Sequence, residues 1–186
     1  LVSELRALEQ RAVDASAKAA PSFAKRGALL PRERLLRLLD AGAPFLPIAP
    51  MAGYGMEGTD ERALARSIPG GSQIAGIGFV SGVRCMVVAS DSGIEAGAIQ
   101  PMGLDKILRV QEMALQNKLP FVHLVESAGA NLLQYKVEQF IHGGRNFYNL
   151  TRLSAAGIPQ IAVVHGSSTA GGAYLPGLSD YVVLVK

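Results

Sequence analysis

Cysteine is nearly absent from this chain of 186 residues: Cys85 is the single one, and there is no tryptophan. One cysteine excludes an internal disulfide and any zinc site built from several cysteines. It lies beside the apolar run Met86-Val87-Val88-Ala89, which marks it as a buried structural thiol and is consistent with a reducing compartment. No run approaches the roughly 18 apolar residues of a membrane span, and the opening residues Leu1 to Arg6 lack the apolar core of a signal peptide. No Gly-Lys-Ser/Thr phosphate loop occurs. No cluster of Lys and Arg interleaves with aromatics, so the net charge of +3 fits an anionic small molecule and gives no case for nucleic acid. Charge is modest throughout, at 18% of residues.

Apolar residues, by contrast, make up 49%, enough to fill a sizeable core, and the 21 glycines follow no three-residue period. Composition divides the chain into a region of helices and irregular backbone, residues 1–67, and a regular region, residues 68–186. Leu1, Leu5, Leu8, Ala12 and Ala15 recur at helical spacing, and Pro31 opens a second helix as an N1 residue, its basic face expected to meet solvent. Pro44, Pro47, Pro50 and several glycines predict irregular backbone from Ala41 to Ser67, as a lid or a connector. Two strand-like runs, Gln73 to Val80 and Arg84 to Ser90, flank the hairpin signal Ser81-Gly82-Val83. A helix over Leu104 to Asn117, a strand over Phe121 to Glu126, a helix within Gln134 to Ala156 and a strand over Gln160 to His165 follow. A short helix over Ala170 to Leu178 and an apolar strand from Tyr181 close the chain, as expected of a piece of something longer. The pattern predicts an α/β fold with a mostly parallel sheet, whose ligands bind beyond the C-terminal strand ends.

Two small-residue turns sit there, Ser127-Ala128-Gly129-Ala130 and Ala170-Gly171-Gly172-Ala173. Bare N–H groups from both can hold one carbonyl oxygen as it becomes an oxyanion; equally, small residues can serve only close packing of helix on strand. Gly166-Ser167-Ser168-Thr169-Ala170 falls one glycine short of a nucleophile elbow, with His123 or His165 as base and Asp91 or Asp180 as third member of a hydrolase triad. Both histidines, however, sit in or end apolar strands. Gly76-Ile77-Gly78 lies within a strand and so has the wrong context for a dinucleotide site. Lys106 and Arg109 share a helix face, followed by Lys118; they are either phosphate contacts or ordinary surface charge.

Taken in order, several stretches resemble one family. They are Arg32-Glu33-Arg34-Leu35-Leu36-Arg37-Leu38-Leu39-Asp40, Gly76-Ile77-Gly78 with Val80-Ser81-Gly82, and Arg109-Val110-Gln111-Glu112-Met113-Ala114. Gln116 to Pro120, Leu124 to Leu132, Phe147-Tyr148-Asn149 and the turn from Gly166 to Pro176 complete the set. The chain resembles the N-terminal part of the carboxyltransferase (β) subunit of biotin-dependent acyl-CoA carboxylases, the propionyl-, methylcrotonyl- and geranyl-CoA carboxylase group. That resemblance implies a crotonase-like (ClpP/crotonase) fold of repeated β-β-α units with an N-terminal helical extension. It implies transfer of a carboxyl group from carboxybiotin to the α-carbon of an acyl-CoA, with backbone N–H groups at Gly171, Gly172 and Ala130 facing the thioester or biotin. It implies coenzyme A contacts at Lys106, Arg109, Gly129 and Ala170, and no metal. Expected partners are a biotin carboxylase or biotin carrier subunit and the C-terminal carboxyltransferase domain of a neighbouring subunit in a homo-oligomer, cytoplasmic or, in a eukaryote, of the mitochondrial matrix.

There are departures. Relatives carry Gly-Gly-Ala after Asp-Ser where this chain has Glu126-Ser127-Ala128-Gly129-Ala130, and Glu95 stands where they have lysine in a Thr-x-Lys-Gly-Gly run. The stretch Gln134 to Gly144 lacks their Pro/Asp-rich segment. The bacterial subunit type with a four-cysteine zinc ribbon is excluded. Two other readings stay open: a crotonase-like decarboxylase or hydratase using Glu126 as acid or base, and an assembly module docking through Leu1 to Asp40.

Overall fold

In the computed structural model of the chain, residues 1–56, 58–129 and 136–185 are described. Three helices open it: α1 (Val2–Ala17), α2 (Ala20–Lys25) and α3 (Pro31–Leu38). Pro31 begins α3 as expected, and the Leu30 N–H donates to the Glu33 carboxylate at 2.8 Å, which satisfies one of the orphan donors at the helix start. The stretch expected to be irregular contains a two-residue strand β1 (Leu46–Pro47) and a helix α4 (Glu61–Arg66). Asp60 caps α4, accepting from the N–H groups of Arg62 and Ala63 at 3.0 Å each, an N-cap signal hidden among the prolines and glycines around it.

Strands β2 (Gln73–Val80) and β3 (Val83–Ser90) form the expected hairpin. Its turn is held from outside: the Asp40 carboxylate accepts from the N–H groups of Ser81 at 2.8 Å and Gly82 at 2.7 Å. Helix α5 (Pro101–Asn117) leads to β4 (Phe121–Ser127), and α6 (Val137–Ala155) leads to β5 (Gln160–Ser168). A 3-10 turn at Ala170–Ala173, a short helix α7 (Tyr174–Gly177) and β6 (Tyr181–Leu184) follow, so the expected single helix is two pieces. The six strands lie in sequence order, with β1, β2 and β3 antiparallel and β3 to β6 parallel.

Both faces of the central strands β3 and β4 are covered, as a parallel sheet requires, whereas the edge strand β6 is exposed. Side chains alternate along β3: Met86 and Val88 join Val110, Ala114, Phe121, Leu150 and Leu153 under α5 and α6. Cys85, Val87 and Ala89 join Val122, Leu124 and Leu35 of α3 on the opposite face, with Phe45 packed beside them. Residues on both sides of the expected division at 67 therefore share one core. The α1 stripe is only partly used, since Ala12 and Ser16 are buried while Leu1, Val2 and Leu5 remain exposed.

Lys106 turns inward from α5. Its ammonium donates to Gln73 O at 2.7 Å, with Gly70 O at 3.4 Å, and pins the turn that starts β2. Burial, then the nearby Arg32, push its pKa down to about 8 against the pull of Asp91. At this group the unfolded chain thus binds more protons than the folded one between about pH 8 and the ordinary lysine range near 10.4, and the Lys106 contribution to stability rises with pH there. Urea unfolding at pH 8 and pH 10 is expected to show that gain in the native chain and not in Lys106→Met. An equal pH response in both would put the charge elsewhere.

Candidate active site

Three turns meet beyond the C-terminal ends of the parallel strands: Ser92 to Ala98 after β3, Ala128-Gly129 after β4, and Thr169 to Gly172 after β5. Hydrogen bonds join them into one unit. Ser127 Oγ donates to Gly97 O at 3.0 Å, Ile99 N–H donates to Gly129 O at 2.8 Å, and Thr169 N–H donates to Ser127 O at 3.1 Å. Gly129 holds a left-handed φ of +84°, and a Cβ on it would meet Ala170 Cβ and Thr169 O at 3.2 Å, so only glycine allows this contact. Three non-glycine residues of these turns, Glu95, Ala96 and Ala170, also have positive φ, at 47°, 52° and 48°. Strain of this kind collects at functional turns that the surrounding structure over-determines.

Of the residues expected in the site, Gly129, Ala170, Gly171 and Gly172 are brought together here, and Ala130 lies outside the described residues. Gly172 N–H donates to Thr169 O at 2.8 Å within the 3-10 turn, whereas Gly171 N–H meets no acceptor among the described residues. Lys106 and Arg109 are not brought to one surface. Lys106 is buried on backbone carbonyls, and exposed Arg109 lies 3.8 Å from Glu112.

Beside the turns opens a cleft of about 550 Å³, walled by Ser92, Gly93 and Ala96 after β3, by Glu126 and Ala128, and by Ser167 and Thr169. The far wall is Ala19, Ser22, Phe23 and Arg26 of the N-terminal helices. Its charged centre is Glu126, which sits where the β4–β5 register shifts between Val125 and Ser127. The buried Arg34 guanidinium of α3 donates to Oε2 at 2.6 Å, Arg26 donates to Oε1 at 2.9 Å, and Ser92 Oγ donates to Oε2 at 2.8 Å. Both guanidinium groups also stack on the Phe23 ring, at 4.6 Å for Arg26 and 5.4 Å for Arg34. Across the shift, a Cβ at position 166 would meet Glu126 Oε1 at 2.7 Å, so the Gly166 backbone makes room for the carboxylate. Burial pulls the Glu126 pKa upward, but the bonds from Ser92, Arg34 and Arg26 outweigh it and hold the carboxyl below its ordinary value.

Neither Arg26 nor Arg34 is expected in the site from the sequence, and the burial of Arg34 corrects the expectation that the basic face of α3 meets solvent, because Glu126 draws this guanidinium inward. Arg34 shares its helix face with Pro31, Leu35 and Leu38, at i−3, i+1 and i+4, and a charge inside an apolar stripe is the signal for a buried one. The hydrolase triad does not assemble. Ser168 Oγ donates to Gly172 O at 2.7 Å, Asp91 accepts from Ser16 and lies 3.6 Å from Arg32, and Asp180 accepts from Ser154 and the Gln160 N–H. His123 is held neutral by burial, its pKa lowered to about 4, and the pKa of His165 is lowered by burial and by Arg34; neither Nε2 has a hydrogen-bond partner among the described residues.

Parallel strands whose C-terminal ends carry interlocked backbone turns define an α/β protein of the crotonase-like class. The carboxyl transferase domain model matches residues 23–186, and the chain belongs to that family. It is 51% identical over 161 residues to a probable biotin-dependent acyl-coenzyme A carboxylase beta2 subunit of Mycobacterium tuberculosis, covering 87% of this chain and 28% of the relative. To the biotin-dependent 3-methylcrotonyl-coenzyme A carboxylase beta1 subunit of the same organism it is 48% identical over 190 residues, covering all of this chain and 34% of the relative. The crystal structure of the P. aeruginosa geranyl-CoA carboxylase beta subunit superposes with a TM-score of 0.88 at 56% identity, over 97% of this chain and 33% of that one. The chain thus spans about a third of the length of the relatives it matches. Among the described residues no helix is long and apolar enough to cross a membrane.

Glu126→Ala strands the buried Arg34 charge and is expected to cost about 3–5 kcal/mol in urea unfolding. The pH response has a definite sign. A carboxyl whose folded pKa lies below its unfolded one stabilises fully above the unfolded value, near 4.3, and loses that contribution as pH falls through the folded value. Acid titration of stability should therefore show a loss below about pH 4.3 that is smaller in Glu126→Gln. Equal acid profiles in the two proteins would mean that the clamp contributes nothing.

Proposed function

We propose that the chain is the N-terminal part of a carboxyltransferase (β) subunit of a biotin-dependent acyl-CoA carboxylase, and that its three-turn unit holds the acyl-CoA thioester. The observation that carries the reading is the Gly171 N–H, which meets no acceptor among the described residues, in a turn locked onto β4 and two residues from Thr169 on the cleft wall. An enolising thioester gathers negative charge on its carbonyl oxygen, and a fixed N–H is complementary to that charge and not to the neutral ground state. Gly171 is the ready donor. The Gly172 N–H beside it is taken up by Thr169 O and helps to fix the turn, and Ala130, next in the sequence after Gly129, is a further contributor.

The relatives named above are described as biotin-dependent. Carboxybiotin, carried by a biotin carboxylase or carrier subunit, supplies the carboxyl group. The C-terminal domain of a neighbouring subunit in a homo-oligomer completes the site, and the acceptor carbon is the one made nucleophilic by enolisation. Gly129 and Ala170 shape the thioester pocket, while Arg109, exposed beside Glu112, meets the phosphates of coenzyme A from the surface. The decarboxylase or hydratase reading requires Glu126 to exchange a proton, and three donors hold it ionised. The assembly-module reading leaves unexplained why the N-terminal helices wall the cleft.

A matched pair of variants tests the donor in the longer subunit containing this chain. A Cβ at position 171 would come no closer than 4.0 Å to Phe147, so Gly171→Ala keeps both the fold and the N–H and is expected to retain transfer. Gly171→Pro deletes the N–H and is expected to lower kcat about 100- to 1,000-fold. Thermal unfolding of both controls for folding. Full transfer by a folded Gly171→Pro would sink the assignment.

A further inference from the structure

The cleft carries more positive charge than its own ion pairs require. Among the described residues on its walls, Arg26 and Glu126 are the charged ones. Glu126, however, is already neutralised from within by Arg34, whose side chain is 4% exposed, so two guanidinium groups face one carboxylate. Arg26 is the outer of the two, with its side chain 49% exposed. It holds Glu126 through one nitrogen, Nη1, and its plane is fixed by the Phe23 ring beneath it. A guanidinium braced in this way has donors left for a second planar or tetrahedral oxyanion. Around it stand the hydroxyl-bearing residues Ser22, Ser92, Ser167 and Thr169, and the small residues Ala19 and Ala128 leave the space open. His165 feels both Arg34 and Glu126, and burial and Arg34 disfavour its charged form.

We infer that Arg26 is a substrate-binding residue that receives an oxyanion of the CoA thioester, either a phosphate of the coenzyme or the carboxylate of a carboxylated acyl group. The inference rests on the thioester reading of the neighbouring turns and adds to it a charged contact from the N-terminal helices. In that role the α2 helix is part of the binding site, and the excess positive charge on the cleft wall is the feature that selects an anionic ligand over a neutral one.

Calorimetric titration of the longer subunit containing this chain, as wild type and as Arg26→Gln, with four probes tests it: acetyl-CoA, malonyl-CoA, methylcrotonyl-CoA and the methylcrotonyl thioester of pantetheine, which has no phosphate. If a phosphate is the partner, Arg26→Gln weakens the three CoA thioesters alike, by about tenfold, and leaves the pantetheine thioester unchanged. If a carboxylate is the partner, malonyl-CoA alone loses that factor relative to acetyl-CoA. Arg26→Lys is expected to recover part of the loss, since it restores charge without the planar fork. Arg34 still holds Glu126 in these variants, and unchanged thermal unfolding verifies it. Equal binding of every probe by wild type and Arg26→Gln overturns the inference while leaving the Gly171 assignment intact, whereas a wild-type subunit that binds none of them overturns both.

Discussion

The ion pair between Glu126 and Arg34 holds the rest of the site in place. A carboxylate at the end of a buried strand is unstable without partners, and a buried guanidinium is no better. Together they make each other tolerable, and their geometry then dictates much else. Arg34 draws α3 against one face of the sheet, Arg26 draws α2 over the strand ends, and Ser92 ties in the turn after β3. The register shift beside Glu126 lets β5 run on to Ser168 and delivers Thr169 against Ser127. Remove the charge pair and three separate segments lose their common anchor.

Around this anchor the chemistry is carried by backbone. Burial holds His123 neutral and disfavours the charged form of His165, the one carboxylate among the described residues of the cleft wall is held ionised, and Cys85 is buried with its thiol pKa raised by burial and by Asp40. What is left to act on a substrate is a set of N–H groups in turns that cannot relax, because strained residues such as Ala170 are locked by their neighbours. A donor fixed in that way needs no reorganisation when charge develops on a carbonyl oxygen. The parallel sheet explains where such donors gather: successive strands point the same way, so their following turns share one edge.

The sheet faces divide the labour. Beneath α5 and α6 lies an apolar core that includes Met86, Val110 and Leu153 and sets strand positions. On the opposite face Leu35 and Phe45 bring the N-terminal helices into contact with Val87 and Val122. Those helices therefore do two things at once, closing the second face and walling the cleft. Lys106 serves the first of these tasks, as a buried cation satisfied by carbonyls, which is why its charge never reaches the surface on which Arg109 lies.

Period-two and period-3.6 patterns were enough to place β2, β3, β4, α5 and α6 within a few residues, because burial of one side chain in two, or of one helix stripe, is written locally. The glycine-rich turns after β4 and β5 were legible for the same reason: a backbone that must bend sharply at a strand end needs small residues wherever it does so. Asp60 as a helix cap, the extension of β5 to Ser168 and the inward turn of Lys106 were not, since each depends on what stands opposite in space. The clamp shows the limit most clearly. Sequence shows Arg26, Arg34, Ser92 and Glu126 as four unrelated polar residues up to 100 positions apart. Only the fold makes them one site, because electrostatic partnership is a matter of distance and dielectric, and neither is a property of the linear chain.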